Sequence, residues 1–540
     1  MQELSQATQK LIEKYLFWQQ SLKPKKEVPT IHVDEVALRV AAFYEQIRTI
    51  VDWKEEHLMR RSAIIRKLKR RFLNLELNEF SSGEEIAEPL VFELIRGGHF
   101  PNDTIEESKI NDVKKNVDKY IFILKNSPEN RKGKAGLQFY NWLLEIAACE
   151  IEETLAPAIK EMALIDYMFG LMKEKIRVSE SFYEKNLLRK DEKDIQIYIA
   201  VQQALLKLDR PIISYNLIKY KYPEWENASE DLVLKISQDI FKIWNRIEQD
   251  LSHPLSKKFY AICEKYDTPY LLLGDILSQG DVLKTKKEIL NPAALEGHVR
   301  SAYNKRLSTL KERLFRAAVY STLSIFITKM LSLVILEIFL SEMLTGHINF
   351  VILAADVLIP TILMFLFVIT TQSPSDKNLT IAVMETMRIA YKKEEPDLYD
   401  IKFPRKKGIV TRLIIAFFYT LGAFVSFGLI YWIFKFFGFP ITSIIINIIF
   451  ITLIVFAGMA IRKRAQELTI EEDSEGFLSF VSDMLFLPVA GLGGWMSNKW
   501  KKYNALAAFF NALVDIPFSV FVEFLEKWRY FIKEKKEEIR

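Results

Sequence analysis

"ITSIIINIIFITLIVFAGMAIRKR", residues 441–464, decides the fold class. From Ile441 to Ile461 there is no Asp, Glu, Lys or Arg, and Arg462, Lys463 and Arg464 follow at once. A helix needs about 20 apolar residues to cross about 30 Å of hydrocarbon, because each residue rises about 1.5 Å and every backbone polar group must be paired internally. Three further stretches meet the same requirement: Ala317 to Leu340, Ile348 to Thr370 and Ile409 to Phe434. The chain is therefore expected to be a multi-pass helical bundle with four spans.

Lys and Arg clustering gives the orientation, since short loops rich in these residues stay cytoplasmic. The approach to the first span holds Lys305, Arg306, Lys311, Arg313 and Arg316, and the connection between the second and third spans is equally basic, ending in Arg405, Lys406 and Lys407. The opposite loops are "SEMLTGHIN", without Lys or Arg, and "KFFGFP", with Lys435 alone. These counts predict an inner, plasma-membrane protein with both termini in the cytoplasm. The opening residues lack a basic region followed by an apolar core, so no secretory signal is read there.

"GGWMSNKWKKY", residues 493–503, tests that map. Two outward and inward crossings around it would strand Lys499, Lys501 and Lys502 on the far side. A re-entrant or surface-lying arrangement keeps them inside, and six spans is the alternative. Asn511, Asp515, Ser519, Glu523 and Lys527 recur every four residues, which predicts an interfacial amphipathic tail anchored by Trp495, Trp500 and Trp528. The glycines of "GLGG", 491–494, are expected to let the chain bend there.

Ionisable residues inside spans are costly and point to function or to an internal partner. Lys329 and Glu337 fall in the first span, Asp356 in the second and Arg412 near the start of the third. Counted at about 1.5 Å per residue, Lys329 and Asp356 lie about 16 and 12 Å below the outer edge on consecutive antiparallel spans, so they are expected to pair. Arg412 is expected to snorkel to the headgroups, and Glu337 to reach water.

Outside the spans, apolar positions recur at helical spacing almost everywhere, and 19 Gly and 18 Pro in 540 residues is few, so the class is all-α. The expected organisation is a helical cytoplasmic subdomain at 1–130, a second at 131–290, a connecting helix at 291–316, the four-span region at 317–464 and the tail at 465–540. Within 34–75, Arg60, Arg61, Arg66, Lys67, Lys69, Arg70 and Arg71 surround an apolar seam. Such a face either finds internal partners or grips an anionic partner, above all anionic lipid. Nucleic acid is disfavoured, because only Phe72 lies near and the net charge of +5 is small for this length. Gly97 and Gly98 should stop a helix at 84–96, and Thr104 with Glu107 reads as the capping box of the next one.

No catalytic or cofactor motif emerges. Glu145, Cys149 and Glu152 or Glu153 share a helical side, yet none of the six histidines follows a Glu at the Glu-x-x-His spacing of helical di-iron sites. Two cysteines give no disulfide framework or metal-ligand spacing. The expected function is a non-catalytic docking or organising platform at the cytoplasmic face, with the bilayer and a protein at the cytoplasmic region as partners and with no cofactor or metal. A channel or transporter using Lys329 and Asp356 as gate or coupling pair is the alternative, and a lipid-active membrane enzyme is third. Oligomeric state is not readable.

Overall fold

The structure, a computed structural model, describes residues 3–23, 28–33, 60–69, 82–127, 134–333, 350–369, 371, 374, 376–391, 398–401, 408–470 and 477–502. The side chains of 134, 350, 477–480, 483 and 498–502 lie outside the description. Glu337, Arg70, Arg71, Trp528, the expected amphipathic stripe at 511–527 and the expected boundary near 130 also fall outside these residues.

The chain is mostly helical. The helices are α1 (Gln6–Ser21), α2 (residues 60–69), α3 (Gly83–Arg96), α4 (Ser108–Asn126), α5 (Lys134–Leu155), α6 (Ile159–Lys175), α7 (Glu180–Glu184), α8 (Lys190–Leu206), α9 (Arg210–Lys221), α10 (Glu230–Leu251) and α11 (Ser256–Lys265). They continue with α12 (Thr268–Ser278), α13 (Val282–Glu288), α14 (Pro292–Ser332), α15 (Phe350–Ile369), α16 (Asp376–Ala390), α17 (Ile409–Phe436), α18 (Ile441–Ala465) and α19 (Phe477–Lys502). The all-α expectation misses one small feature: β1 (Ile176–Val178) and β2 (Tyr399–Ile401) form a two-stranded parallel sheet, with Ile176 opposite Tyr399.

Two compact units emerge. One comprises residues 1–8, 265–395 and 402–504; the other comprises 9–264, 396–401 and 505–540. The strand β2 thus belongs to the second unit, held by pairing with β1 and by the Ser179 N–H donating to the Ile401 carbonyl.

In the second unit, α4 packs on α3, α5 and α10, and α6 packs on α8. The helix α3 stops at Arg96, where the Gly98 and His99 N–H groups donate to the carbonyls of Ile95 and Leu94. The next helix begins at Ser108, four residues later than the capping box suggested. The cause is tertiary: Thr30 bridges to Glu106, and the Ile31 and Glu107 N–H groups donate to the carbonyls of Ile105 and Pro29, which commits 105–107 to pairing with 29–31 in place of the first helical turn.

The first unit holds the four helices long and apolar enough to cross a membrane: α14, α15, α17 and α18. Asn291 caps α14, accepting from the Ala293 N–H at 3.1 Å, and Pro292 suits its first turn. Over its 41 residues α14 rises about 60 Å without a break, joining polar and apolar sequence in one rod. Its polar part packs with α12 and α16. There the buried Asn378 of α16 donates to the Tyr303 hydroxyl (2.9 Å) and the Leu468 carbonyl (2.5 Å), and accepts from the Ile470 N–H (2.8 Å). One amide thus ties α14 to the exit of α18. Asn378→Ala leaves the Tyr303 hydroxyl and the Ile470 N–H unpaired, and is expected to lower stability by about 1–3 kcal/mol, read as a reduced thermal midpoint of the detergent-solubilised protein.

Residues 477–502 do not bend at their glycines. They form one continuous helix that packs against α17 and α18, with Val489 and Ala490 in a core shared with Phe434, Ile444 and Val455. Backbone meets backbone at two points. A Cβ on Gly422 would lie 2.2 Å from the Met484 carbonyl oxygen, and one on Gly493 would lie 2.1 Å from that of Thr452. Ser426 Oγ also donates to the Leu485 carbonyl at 2.8 Å. The partners on α17 stand about 15–21 Å along that helix from Phe436, and those on α18 about 17–23 Å from Ile441, while α19 itself advances about 15 Å between Met484 and Gly494. Phe436 and Ile441 are joined by a tight turn in which the Phe439 N–H donates to the Phe434 carbonyl. The level of the partners stays nearly constant, so α19 crosses α17 and α18 obliquely.

Candidate functional site

Three apolar helices of the first unit converge on one polar cluster. Lys329, near the end of α14, places Nζ 2.6 Å from Asp356 Oδ2 on α15. Asn447 of α18 donates its Nδ2 to Asp356 Oδ1 (2.5 Å) and to the Ser443 carbonyl (2.9 Å). The Phe450 ring lies 5.0 Å from the Lys329 ammonium. Lys329, Asp356 and Asn447 are 0, 1 and 0% exposed, whereas Val351 of α15 and Phe424 of the fourth apolar helix, α17, are 77 and 81% exposed. Polarity is inverted relative to a water-soluble domain: charge is inside and large apolar surface is outside.

The arrangement fixes the carboxylate from both sides. Each charge at this depth would be expensive alone, and the ion pair compensates both only because the geometry is close and the second carboxylate oxygen has its own donor. Asn447 Oδ1 has no hydrogen-bond partner among the described residues. Asn447 is the member that sequence reasoning missed. The signal was available: it is the one amide in an otherwise apolar run, about 9 Å from Ile441, and so at a depth like that of Asp356. Arg412, the fourth intramembrane candidate, lies exposed at the start of α17, away from this cluster.

The basic segment before residue 72 is used differently. Arg61 is buried, with its guanidinium 2.9 Å from Asp209 and 3.5 Å from Cys149 Sγ. Arg60 donates to the His99 carbonyl and lies over the Phe100 ring, Lys67 pairs with Glu93 at 3.3 Å, and Lys69 reaches Asn141. Ala63, Ile64 and Leu68 form the buried seam, and Arg66 lies half-buried beside them. Lys499, Lys501, Lys502 and Trp500 sit on the last turns of α19, whose side chains there are outside the description, and Trp495 is exposed.

The carboxylates of α5 face protein partners. Glu150, buried, accepts from the Tyr120 hydroxyl (2.6 Å) and Trp225 Nε1 (3.0 Å) and pairs with Lys119 (2.5 Å). Glu153 accepts from the Tyr215 hydroxyl at 2.7 Å and pairs with Lys219. Among the described residues no group of three His, Cys, Asp or Glu side chains could hold a metal. Glu150→Gln would leave Lys119 without its buried counter-charge and turn one acceptor into a donor. It is expected to cost about 2 kcal/mol in a urea titration followed by tryptophan fluorescence.

Burial pushes the Cys149 thiol from 9.0 up to about 12, although Arg61 pulls the other way. Burial likewise raises the Glu152 carboxyl, against Arg61 and Arg60. Between about pH 9 and 12 the unfolded chain gives up the thiol proton while the folded chain keeps it, so this contribution is intact below pH 9 and is lost as pH rises. The urea midpoint should fall more steeply from pH 8 to 10 than it does in Cys149→Ala, with a difference on the order of 1 kcal/mol per pH unit.

A comparison of this chain with family models, curated proteins and solved structures finds no match.

Proposed function

We propose that the chain is an integral membrane protein of the inner, plasma membrane: a four-span bundle carrying a helical cytoplasmic region and working as a non-catalytic docking or organising platform on the cytoplasmic face. The observation that carries this reading is the inverted polarity of α14, α15, α17 and α18, with an ion pair buried among α14, α15 and α18 and large Phe, Leu and Ile side chains exposed on the four helices. Lipid is the solvent in which that distribution is stable. In this reading Lys329, Asp356 and Asn447 lock the register of three spans, and α19 braces two of them from the cytoplasmic leaflet. The organisation is a platform region, the connecting part of α14, and the spans. The unbroken α14 passes displacement of the cytoplasmic end to the lock. The platform reading takes a protein partner at the cytoplasmic region and leaves nucleic acid aside.

The closed geometry of the pair favours a lock over a gate, and a functional assay separates them. The full-length protein carrying Lys329→Met with Asp356→Leu, reconstituted in liposomes, should leave ion and proton flux at the level of the unaltered protein and should co-purify with the same partner chains. Loss of a flux that the unaltered protein supports would replace the platform by the channel or transporter reading.

A further inference from the structure

We infer that the cytoplasmic ends of α17, α18 and the apolar part of α14 carry a binding belt for the headgroups of anionic phospholipids; the inference rests on the membrane reading above. Its members are Arg313 and Arg316 on α14, Arg412 on α17, and Arg462, Lys463 and Arg464 on α18. All six are exposed, and their side chains make no ion pair among the described residues. This sets them apart from Arg61, Lys119 and Lys219 of the second unit, whose charges are already met by Asp209, Glu150 and Glu153.

Their height in the bundle is the second argument. A Cβ on Gly438 would lie 4.0 Å from Ile352 Cδ1, and Ile352 packs against the cluster that holds Phe439, so the 437–440 turn marks one end of α15, α17 and α18. Arg462 stands about 32 Å from Ile441 along α18, and Arg412 about 36 Å from Phe436 along α17. Asp356 lies about 6 Å past Ile352, and Arg316 and Arg313 stand about 20 and 24 Å from Lys329, its partner, on the antiparallel α14. The six cations therefore share a band about 26–36 Å from the turn, one hydrocarbon thickness away from it. Apolar neighbours lie beside them in the same band: Phe315 and Leu413 are 70 and 64% exposed. A free phosphate would use the cations alone. A phospholipid uses both, its phosphate on the guanidinium groups and its chains on the apolar flank. Only Glu312 and Glu467 oppose the charge on the described parts of these stretches.

The test uses full-length protein in phosphatidylcholine vesicles and nanodiscs with increasing phosphatidylglycerol, bound lipid being counted by native mass spectrometry. Resistance to alkaline carbonate in pure phosphatidylcholine checks the membrane reading separately, and extraction there would remove that reading and the belt with it. Arg462→Gln, Lys463→Gln and Arg464→Gln together should weaken phosphatidylglycerol retention by about fivefold per cation, on the order of a hundredfold in all. Arg462→Lys with Arg464→Lys should retain most of it, inorganic phosphate should not compete, and added salt should weaken binding of the unaltered protein. An integrated triple variant that holds phosphatidylglycerol as tightly as the unaltered protein would overturn the belt, as would equal loss in the charge-preserving variant.

Discussion

Lys329→Met is expected to destabilise the protein by about 3–5 kcal/mol, and Asp356→Leu by a similar amount, whereas the two together should cost far less than their sum. Removing one partner leaves the other charge buried with nothing to compensate it; removing both replaces an ion pair by apolar side chains of similar size, which is often neutral. Asn447 makes the second half of the argument specific. With Asp356 replaced by Leu, one of its two Nδ2 hydrogens still goes to the Ser443 carbonyl at 2.9 Å while the other loses its acceptor, so the double variant keeps a residual cost of about 1–3 kcal/mol, still well below the sum of the single effects. A double-mutant cycle on thermal or denaturant unfolding in detergent measures the coupling, which should be at least about 2 kcal/mol. Additive single effects would show that the two charges do not depend on each other.

Gly493→Leu is the second large effect, about 3 kcal/mol or more. Its Cβ would be placed 2.1 Å from the Thr452 carbonyl oxygen and 2.9 Å from Phe456 Cβ. The first obstacle is backbone in the middle of α18, so no rotamer change relieves it and α19 must move away as a unit. Gly491→Leu is the matched control: there the nearest atom is the Tyr419 hydroxyl at 3.1 Å, the far end of a side chain that can turn aside. Limited proteolysis should cut near 466–476 faster in Gly493→Leu than in Gly491→Leu. Equal rates would mean that the close crossing does not hold α19.

Much of the bundle was legible because length and apolarity alone mark a helix able to span a bilayer, and those two properties need no knowledge of neighbours. Lys329 and Asp356 stood out for a related reason: a charge in an apolar run demands a partner, and depth along two antiparallel helices shows where to look. Asn447 did not stand out, since a neutral amide carries no such demand and its helix was read only for length. The packing of α19 was not legible either. Periodicity tells which face of a helix is apolar, not what covers it, and the glycines that permit the crossing at Thr452 read equally well as a bend. The basic segment shows the same limit, because Arg61 becomes an internal residue only through Asp209 and Cys149, which are distant in sequence. The start of α4 moved from Thr104 to Ser108 because strand-like pairing with residues 29–31 outweighed a local cap.

The sidedness of the bundle underlies every functional statement above, and it is tested most directly by cysteine labelling in intact cells. With Cys149 and Cys263 replaced by Ala, single cysteines are placed at Phe437 in the turn, at Glu467 beyond α18 and at Lys499 on α19. A membrane-impermeant thiol reagent added outside should modify position 437 and leave 467 and 499 untouched until the cells are opened. Modification of 467 from outside would contradict the four-span map, and modification of 499 alone would carry α19 across the bilayer as a fifth span.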